Sequence, residues 1–249
     1  MSTTVRVATA AACLSSALLL TACGGSSSSG ASASGAAASG GASSGGQAAS
    51  QLQGLSAEQV LEKAKAATAS AKSLHYTATG TSDGQKLSFD VRTDKARGVM
   101  AELELAGQKI KIVQDMKDVY VFGGEGILGG KGTGGKWAKS STSNPAMSSL
   151  LEIADPAKLT EQFFTLDPGQ KVSLGTPKTV DGKQTVALVV SGPKNDGGTM
   201  YVSAEGTPYP LLVESDPKGK DTGTLTFSEF DQPVDIKVPD AKDVIVLPA

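Results

Sequence analysis

The sequence predicts an α+β domain in which an antiparallel sheet of about ten or eleven strands accompanies an N-terminal helix and a helical interruption. Apolar residues first recur at helical spacing, and after Ser73 they alternate with polar residues through most of the remaining chain. The alternating runs are short and are separated by tight turns, which is typical of an antiparallel meander. A sheet of that length must curve around its helices to bury one face, so we expect a concave apolar side.

Residues 1–22 have the features of a removable secretory signal. Arg6 precedes a mostly apolar run from Val7 to Leu20 that is too short to span a bilayer. The segment ends in Leu20-Thr21-Ala22-Cys23, which resembles the lipobox of bacterial lipoproteins, where the cysteine is acylated after the leader is cut. We therefore expect Cys23 to carry the lipid, and acyl chains to anchor the protein on a membrane without spanning it.

Residues 23–54 are expected to form a flexible tether that begins at the lipidated cysteine. From Gly24 to Ser50 every residue except Gln47 is Gly, Ser or Ala, so this stretch lacks the side chains that a core needs. Residues 55–249 remain as one folding domain without internal repeats. Neither cysteine lies in that domain, and the formal charge of −2 argues against binding to nucleic acid.

The domain is predicted to begin with an amphipathic helix. Ser56 and Gln59 have the spacing of a capping box, and Leu55 and Val60 have that of a hydrophobic staple. One face of this helix collects Val60, Leu61, Ala64, Ala67 and Ala71. We expect this face to lie on an apolar surface.

Short strands with one apolar face are predicted on both sides of a middle segment. The first group carries Leu74, Tyr76, Ala78, Leu87, Phe89, Val91, Val99, Ala101, Leu103, Leu105, Ile110, Ile112, Val119 and Val121. The second group carries Val172, Leu174, Val186, Leu188, Val190, Met200, Val202, Leu211, Val213, Leu225, Phe227 and the final Val244 to Leu247. Val180-Asp181-Gly182-Lys183 is a strong hairpin signal within the second group.

The middle segment interrupts the alternation. Gly123 to Gly135 is rich in glycine and is expected to form a mobile hairpin loop that could gate an opening. Asn144-Pro145 can open a short helix that carries Met147, Leu150 and Leu151. Asp155-Pro156 can open a second helix that carries Leu159, Phe163 and Phe164 and stops at Asp167-Pro168-Gly169.

No arrangement of residues in the sequence predicts catalysis. His75 is the only histidine, no nucleophile elbow accompanies it, and its place on the polar side of a strand predicts exposure to solvent. Gly124 to Gly129 has the letters of a dinucleotide-binding turn, but more glycine and Trp137 follow it where a helix must start. Carboxylates are plentiful, yet they lie at turns or on a polar strand face, and no metal-binding motif is present. We expect no enzyme activity and no cofactor.

The apolar strand faces and the two groups of helical residues predict a hydrophobic cavity as an alternative to a filled core. The candidate lining residues are Val60, Leu61, Ala64, Leu87, Phe89, Val91, Leu103, Leu105, Ile110, Ile112, Leu150, Leu151, Phe163 and Phe164.

Several motifs, taken in their order along the chain, resemble those of one protein family. They are the lipobox and tether, the helix from Leu55 into Ser73-Leu74-His75-Tyr76, Val119-Tyr120-Val121 before Trp137, Asp155-Pro156, the turn at 180–183 and the closing Phe227 to Pro239. Together they are similar to actinobacterial lipoproteins of the LppX/LprA/LprF/LprG type, which are related in fold to LolA and LolB. The resemblance covers residues 55–249 and implies a strongly bent antiparallel half-barrel with helices over its concave face.

The resemblance also implies a function and a location. Members of this family bind acylated lipids or lipoglycans in a hydrophobic cavity and are thought to move them toward the outer envelope. The expected partners are therefore an acylated lipid or glycolipid, the membrane through the lipid anchor, and a transporter or envelope protein, with no nucleic acid. The expected location is the extracytoplasmic face of the cell membrane. The alternative is an envelope-stress or signalling lipoprotein whose concave face binds a protein or peptide.

Overall fold

A computed structural model describes residues 51–123, 133–144, 156–193, 197–219 and 221–247. The two helices are α1 (Ala57–Ser70) and α2 (Pro156–Phe164). The strands are β1 (Ser73–Ser82), β2 (Gln85–Asp94), β3 (Gly98–Leu105), β4 (Gln108–Gln114), β5 (Asp118–Gly123), β6 (Trp137–Ser141), β7 (Lys171–Leu174), β8 (Thr179–Val180), β9 (Lys183–Ser191), β10 (Gly198–Ser203), β11 (Pro210–Ser215), β12 (Thr222–Ser228) and β13 (Val244–Val246).

The strands form a single large sheet that curls without closing. Its order is β13-β6-β5-β4-β3-β2-β1-β12-β11-β10-β9-β7, and β8 lies off this path and pairs with the first residues of β9. The pairing of β1 with β12 joins the two predicted groups of strands, so that β1 lies near the centre of the sheet. The α+β class and the mainly antiparallel sheet agree with the sequence prediction.

Two details of the sheet differ from the prediction. The sheet has 13 strands in place of about ten or eleven, because β6 carries few apolar residues and β8 has only two residues, so neither gave a period-two signal. The pairing is also not wholly antiparallel, since β13 pairs with β6 in parallel. A parallel neighbour requires a crossover, and residues 229–243 provide it.

The N-terminus of α1 has the predicted cap. The Gln59 backbone N–H donates to the Ser56 hydroxyl at 3.3 Å, and the Ser56 backbone N–H donates to the Gln59 side chain at 2.9 Å. The buried side of the helix contains Val60, Leu61, Ala64 and Ala67, as the helical spacing predicted. These small and branched residues let α1 approach the sheet closely.

The core is divided between two clusters of buried apolar residues. The first lies on strands β1 to β5 and β12 and includes Tyr76, Val91, Ile112 and Phe227. The second joins α1 and α2 to strands β7, β9 and β10. Helical cover is therefore concentrated on the β7–β10 side of the sheet, and the cover over the remaining strands comes from other segments, including Phe230 and Leu247.

The segment that follows β12 is fixed to the strand ends by a polar and aromatic contact. The Tyr209 ring stacks on Phe230, with centroids 3.8 Å apart and planes 4° apart. The Tyr209 hydroxyl donates to Asp231 at 2.7 Å, and the Lys72 backbone N–H donates to the same carboxylate at 2.7 Å. These bonds, the Lys72 bond above all, hold the pKa of Asp231 below its usual value, and burial with the Asp231 bond raises the pKa of Tyr209 to about 12.

Asp231→Asn is expected to reduce the dependence of stability on acid pH. Because the folded-state pKa of Asp231 is lowered, its carboxylate stabilises the fold above the unfolded value near 3.8, and this contribution disappears as the pH falls through the lowered pKa. Thermal melts from pH 7 down to about pH 2 measure the effect. The variant should lose melting temperature at pH 7 and show a smaller acid-induced decrease than the natural chain. An acid-induced decrease equal to that of the natural chain would contradict this prediction.

Two predicted features lie outside the described residues. They are the helix that opens at Asn144-Pro145, with Met147, Leu150 and Leu151, and most of the glycine-rich segment from Gly123 to Gly135. The second predicted helix is confirmed as α2. Within the described ranges, neither helix has the length and hydropathy that a membrane crossing requires.

Candidate functional site

An open cleft of about 930 Å³ lies on the apolar side of the sheet. Strands β1, β2, β10, β11 and β12 contribute to its lining, together with β9 residue Val190. Helix α2 and the turn after it contribute Glu161, Phe163 and Leu166. The cleft therefore lies between the sheet and α2, and its size falls within the range of small-molecule sites.

One cross-strand row of apolar residues forms the deeper part of the lining. Phe89 lies opposite Ala78, Ala78 is also opposite Leu225, Leu225 is opposite Val213, and Val213 is opposite Met200. Side chains on one face of a strand recur every second residue, so this register presents the whole row to the same side. The row gives the cleft a continuous apolar surface across five strands.

The next row toward the strand ends contains three glycines. Gly80 lies opposite both Leu87 and Gly223, and Gly198 lies opposite Val190 and Ser215. A Cβ atom added at Gly80 would lie 2.4 Å from the Thr222 carbonyl oxygen, and one at Gly223 would lie 2.6 Å from that of Thr79. These glycines let the strands approach closely, and at these three positions the inner face has no side chain. The missing side chains contribute to the open volume.

Helix α2 covers the cleft through aromatic contacts. Phe163 packs against both core clusters and meets Phe227 edge to face, with centroids 6.5 Å apart and planes at 89°. Phe164 turns into the second cluster and is buried. Phe163 and Phe164 therefore fix α2 on the sheet, and the half-buried Phe163 also faces the cleft.

The rim of the cleft is polar. Its carboxylates are Glu161, Asp167 and Asp221, and its hydroxyls come from Ser82, Thr165 and Ser215. The Asp83 backbone N–H donates to Asp221 at 3.1 Å, whereas Glu214, whose side chain projects from the opposite face of the sheet, pairs with Lys178 at 2.7 Å. Among the described lining residues there is no Lys or Arg. This mixture offers hydrogen-bond acceptors to a polar group that donates.

The predicted cavity residues divide between the cleft and the core. Leu87, Phe89 and Phe163 line the cleft. Buried in the two clusters are Val60, Leu61, Ala64, Val91, Leu103, Ile110, Ile112 and Phe164. Leu105 packs against the first cluster, and Leu150 and Leu151 lie outside the described residues. Contact of any of these residues with a ligand remains a prediction.

Sequence reasoning missed several residues that form the cleft. Ala78, Val213 and Leu225 were recognised as strand residues but not as cavity residues, and Gly80, Gly198 and Gly223 were not singled out. A signal for the glycines does exist, because glycine inside an alternating strand marks a bend or a close backbone approach.

His75 is not exposed to solvent, contrary to the sequence prediction. Its side chain is 11% exposed, and its Nε2 atom lies 3.0 Å from Asp90 of the neighbouring strand. Its Nδ1 atom lies 3.2 Å from the Ser228 hydroxyl and 3.7 Å from Glu229. The histidine does lie on the polar face, but Arg92 of β2 and Glu229 after β12 lie beside its ring. This cluster lies away from the cleft lining and ties β1 to β2 and β12.

Comparison with known proteins identifies the fold. No protein-family model matches the chain, and no curated protein matches it in sequence. The solved structure of LprF from Mycobacterium bovis is 16% identical, with a TM-score of 0.50 over 74% of this chain and 96% of that one. The lipoprotein LppX from Mycobacterium tuberculosis is 16% identical, with a TM-score of 0.48 over 73% and 98% of the two chains. The MucA/MucB complex of Pseudomonas aeruginosa gives 17% identity and a TM-score of 0.38 over 71% and 56%.

At these identities the likeness concerns the fold. The LprF match extends over nearly the whole of that protein and most of the folded part of this one. The resemblance seen in the sequence is therefore confirmed, and the chain shares the curled, unclosed sheet of LprF.

Proposed function

We propose that this protein is a membrane-anchored extracytoplasmic lipoprotein that binds acylated lipids or lipoglycans in the cleft and carries them toward the outer envelope. The observation that carries the proposal is the open cleft of about 930 Å³, whose floor is an apolar row and whose rim is polar. An amphiphilic lipid likewise has an apolar part and a polar part. Its acyl chains match the row from Phe89 to Met200, and its headgroup matches the rim.

The apolar row provides the driving force for binding. Burial of apolar surface is worth roughly 25 cal/mol per Å², so an acyl chain that leaves water is stabilised without any charged protein group. An open cleft can also release the chain without unfolding of the sheet. A carrier needs to bury acyl chains reversibly in this way, and such binding requires neither catalysis nor a cofactor.

The rim favours a headgroup rich in hydroxyls. Sugar and glycerol hydroxyls donate hydrogen bonds, and the carboxylates of Asp167 and Asp221 can accept them. We therefore assign the cleft to glycolipids or acylglycerol-type lipids in preference to anionic phospholipids. A transporter or envelope protein would load or unload the carrier.

Native mass spectrometry tests lipid binding. The protein used is the unacylated chain, in which a secretory signal cut by the ordinary signal peptidase replaces residues 1–22 and Cys23→Ser removes the acylation site. Purified from a bacterium that makes acylated lipids, this chain should retain extra mass that organic solvent releases as di- or triacylated lipid. A mass equal to that of the polypeptide, with no uptake of added lipid, would contradict the carrier proposal.

The anchor has a separate test with a matched control. In the natural precursor, Cys23→Ser should abolish incorporation of radioactive palmitate and leave residues 1–22 uncleaved, because the acyl acceptor is gone. Cys13→Ser, which changes the other cysteine of the chain, should incorporate palmitate normally. Equal labelling of the two variants would remove the anchor from the proposal.

The second candidate function is recognition of a protein or peptide. Among the described residues no further strand pairs with the outer edges of β7 and β13, and these strands expose Leu174 and Val246. An extended peptide can add a strand at such an edge. A lipid-free mass together with a specific crosslink to an envelope protein would favour this candidate over the carrier.

A further inference from the structure

A second pocket, which shares Glu161 with the cleft lining, lies between the two helices and the start of the sheet. Its volume is about 410 Å³, less than half that of the cleft. Ala71 and Leu74 form part of its lining and are each 3% exposed, and Ala69 and Ala157 add small apolar surfaces from α1 and α2. The pocket therefore has an apolar interior with room for a slender ligand.

The rim of this pocket is basic. Three lysines contribute to the lining, namely Lys65 of α1, Lys72 after α1 and Lys95 after β2. The Lys95 ammonium donates to the Ala69 carbonyl, so it is held at the C-terminus of α1 and compensates the negative end of that helix. Neither Lys65 nor Lys72 forms an ion pair with another described residue through its ammonium group.

The acidic groups near the pocket already have partners. Glu161 is the one carboxylate among the described lining residues, and Lys158, which lies outside the lining, approaches it at 3.8 Å. Asp231 accepts from the Lys72 backbone N–H and from the Tyr209 hydroxyl. The Lys72 ammonium attracts Asp231 electrostatically without forming an ion pair, so the ammonium groups of Lys65 and Lys72 can both attract an anion at the mouth of an apolar pocket.

We propose that this pocket binds a single-chain anionic amphiphile, with the chain between α1 and α2 and the anionic group at Lys65 and Lys72. The pocket volume of about 410 Å³ favours a ligand with one acyl chain, whereas the cleft of about 930 Å³ is large enough for a bulkier lipid. The charge is opposite to that of the cleft rim, where the described lining has carboxylates and no cation. This proposal does not depend on lipid binding in the cleft.

Titration calorimetry on the delipidated, unacylated chain tests the charge requirement. The probes are laurate, dodecyl phosphate and dodecanol, used below their aggregation concentrations. Laurate or dodecyl phosphate should bind at least tenfold more tightly than dodecanol, and the tighter of the two anions identifies the source as a carboxylate or a phosphate. Equal affinity for dodecanol and for both anions would overturn the proposal.

Two pairs of variants locate the site. Lys65→Gln with Lys72→Gln should weaken binding of the preferred anion at least tenfold, whereas Lys63→Gln with Lys109→Gln removes the same charge from exposed positions outside the pocket and should not. Ala69→Trp should block the chain, whereas Ala66→Trp on the outer side of α1 should not. Melting temperatures establish that each variant is folded. If a folded Lys65/Lys72 variant binds as tightly as its control, the pocket is not the site.

Discussion

Ala78→Trp is expected to abolish lipid retention by the unacylated chain while the sheet stays folded. Ala78 lies in the apolar row, directly opposite Phe89 on one side and Leu225 on the other. It is half-buried and lines the open volume, so an indole ring would extend into the cleft and not into a packed core. We expect at least a tenfold loss of retained lipid in native mass spectra, because the ring would occupy the space of the acyl chains.

Thr77→Trp is the matched control for this prediction. Thr77 is the preceding residue on the same strand, and alternation places it on the opposite face of the sheet. Both variants carry the same new side chain, so a loss confined to Ala78→Trp would reflect occupation of the cleft. Equal retention by both folded variants would mean that lipid does not bind in this cleft.

The fold was largely predictable because its signals are local. Alternation and turn residues identified most strands, and Ser56 with Gln59 identified the start of α1. The pairing of β13 with β6 could not be predicted from alternation or turn residues. It depends on where residues 229–243 cross the strand ends, through bonds such as that from Arg97 to the Val234 carbonyl. Long-range contacts of this kind have no period in the sequence.

The candidate site was harder to predict because the search was for large apolar residues. Residues such as Leu103 and Ile112, which are 2% and 1% exposed, fill the core, since apolar side chains generally pack against one another. The open volume arises where side chains are small or missing, at Ala78, Gly80 and Gly223. Enlarging Leu103 or Ile112 would therefore overpack the core and would not block the cleft.

Phe227→Ala is expected to cause the largest loss of stability among single core substitutions, about 3–5 kcal/mol in the free energy of unfolding. Phe227 is 2% exposed, and the rings of Tyr76, Phe163 and Phe230 have centroids 6.4, 6.5 and 6.5 Å from its own. It joins the central strands, the helix over the cleft and the segment that crosses to β13. Removal of its ring would leave a cavity that these three elements cannot fill together.

Urea unfolding of the unacylated chain measures this loss, with Phe122→Ala as the control. Phe122 is half-buried, and its ring lies 5.4 Å from that of Trp137 near the far edge of the sheet. The same truncation there should cost less, about 1–2 kcal/mol, because solvent already reaches the ring. Comparable losses at the two positions would show that Phe227 does not connect these elements. Because Phe163 of α2 rests against Phe227, the Phe227 variant should also retain less lipid than Phe122→Ala in conditions where both are folded.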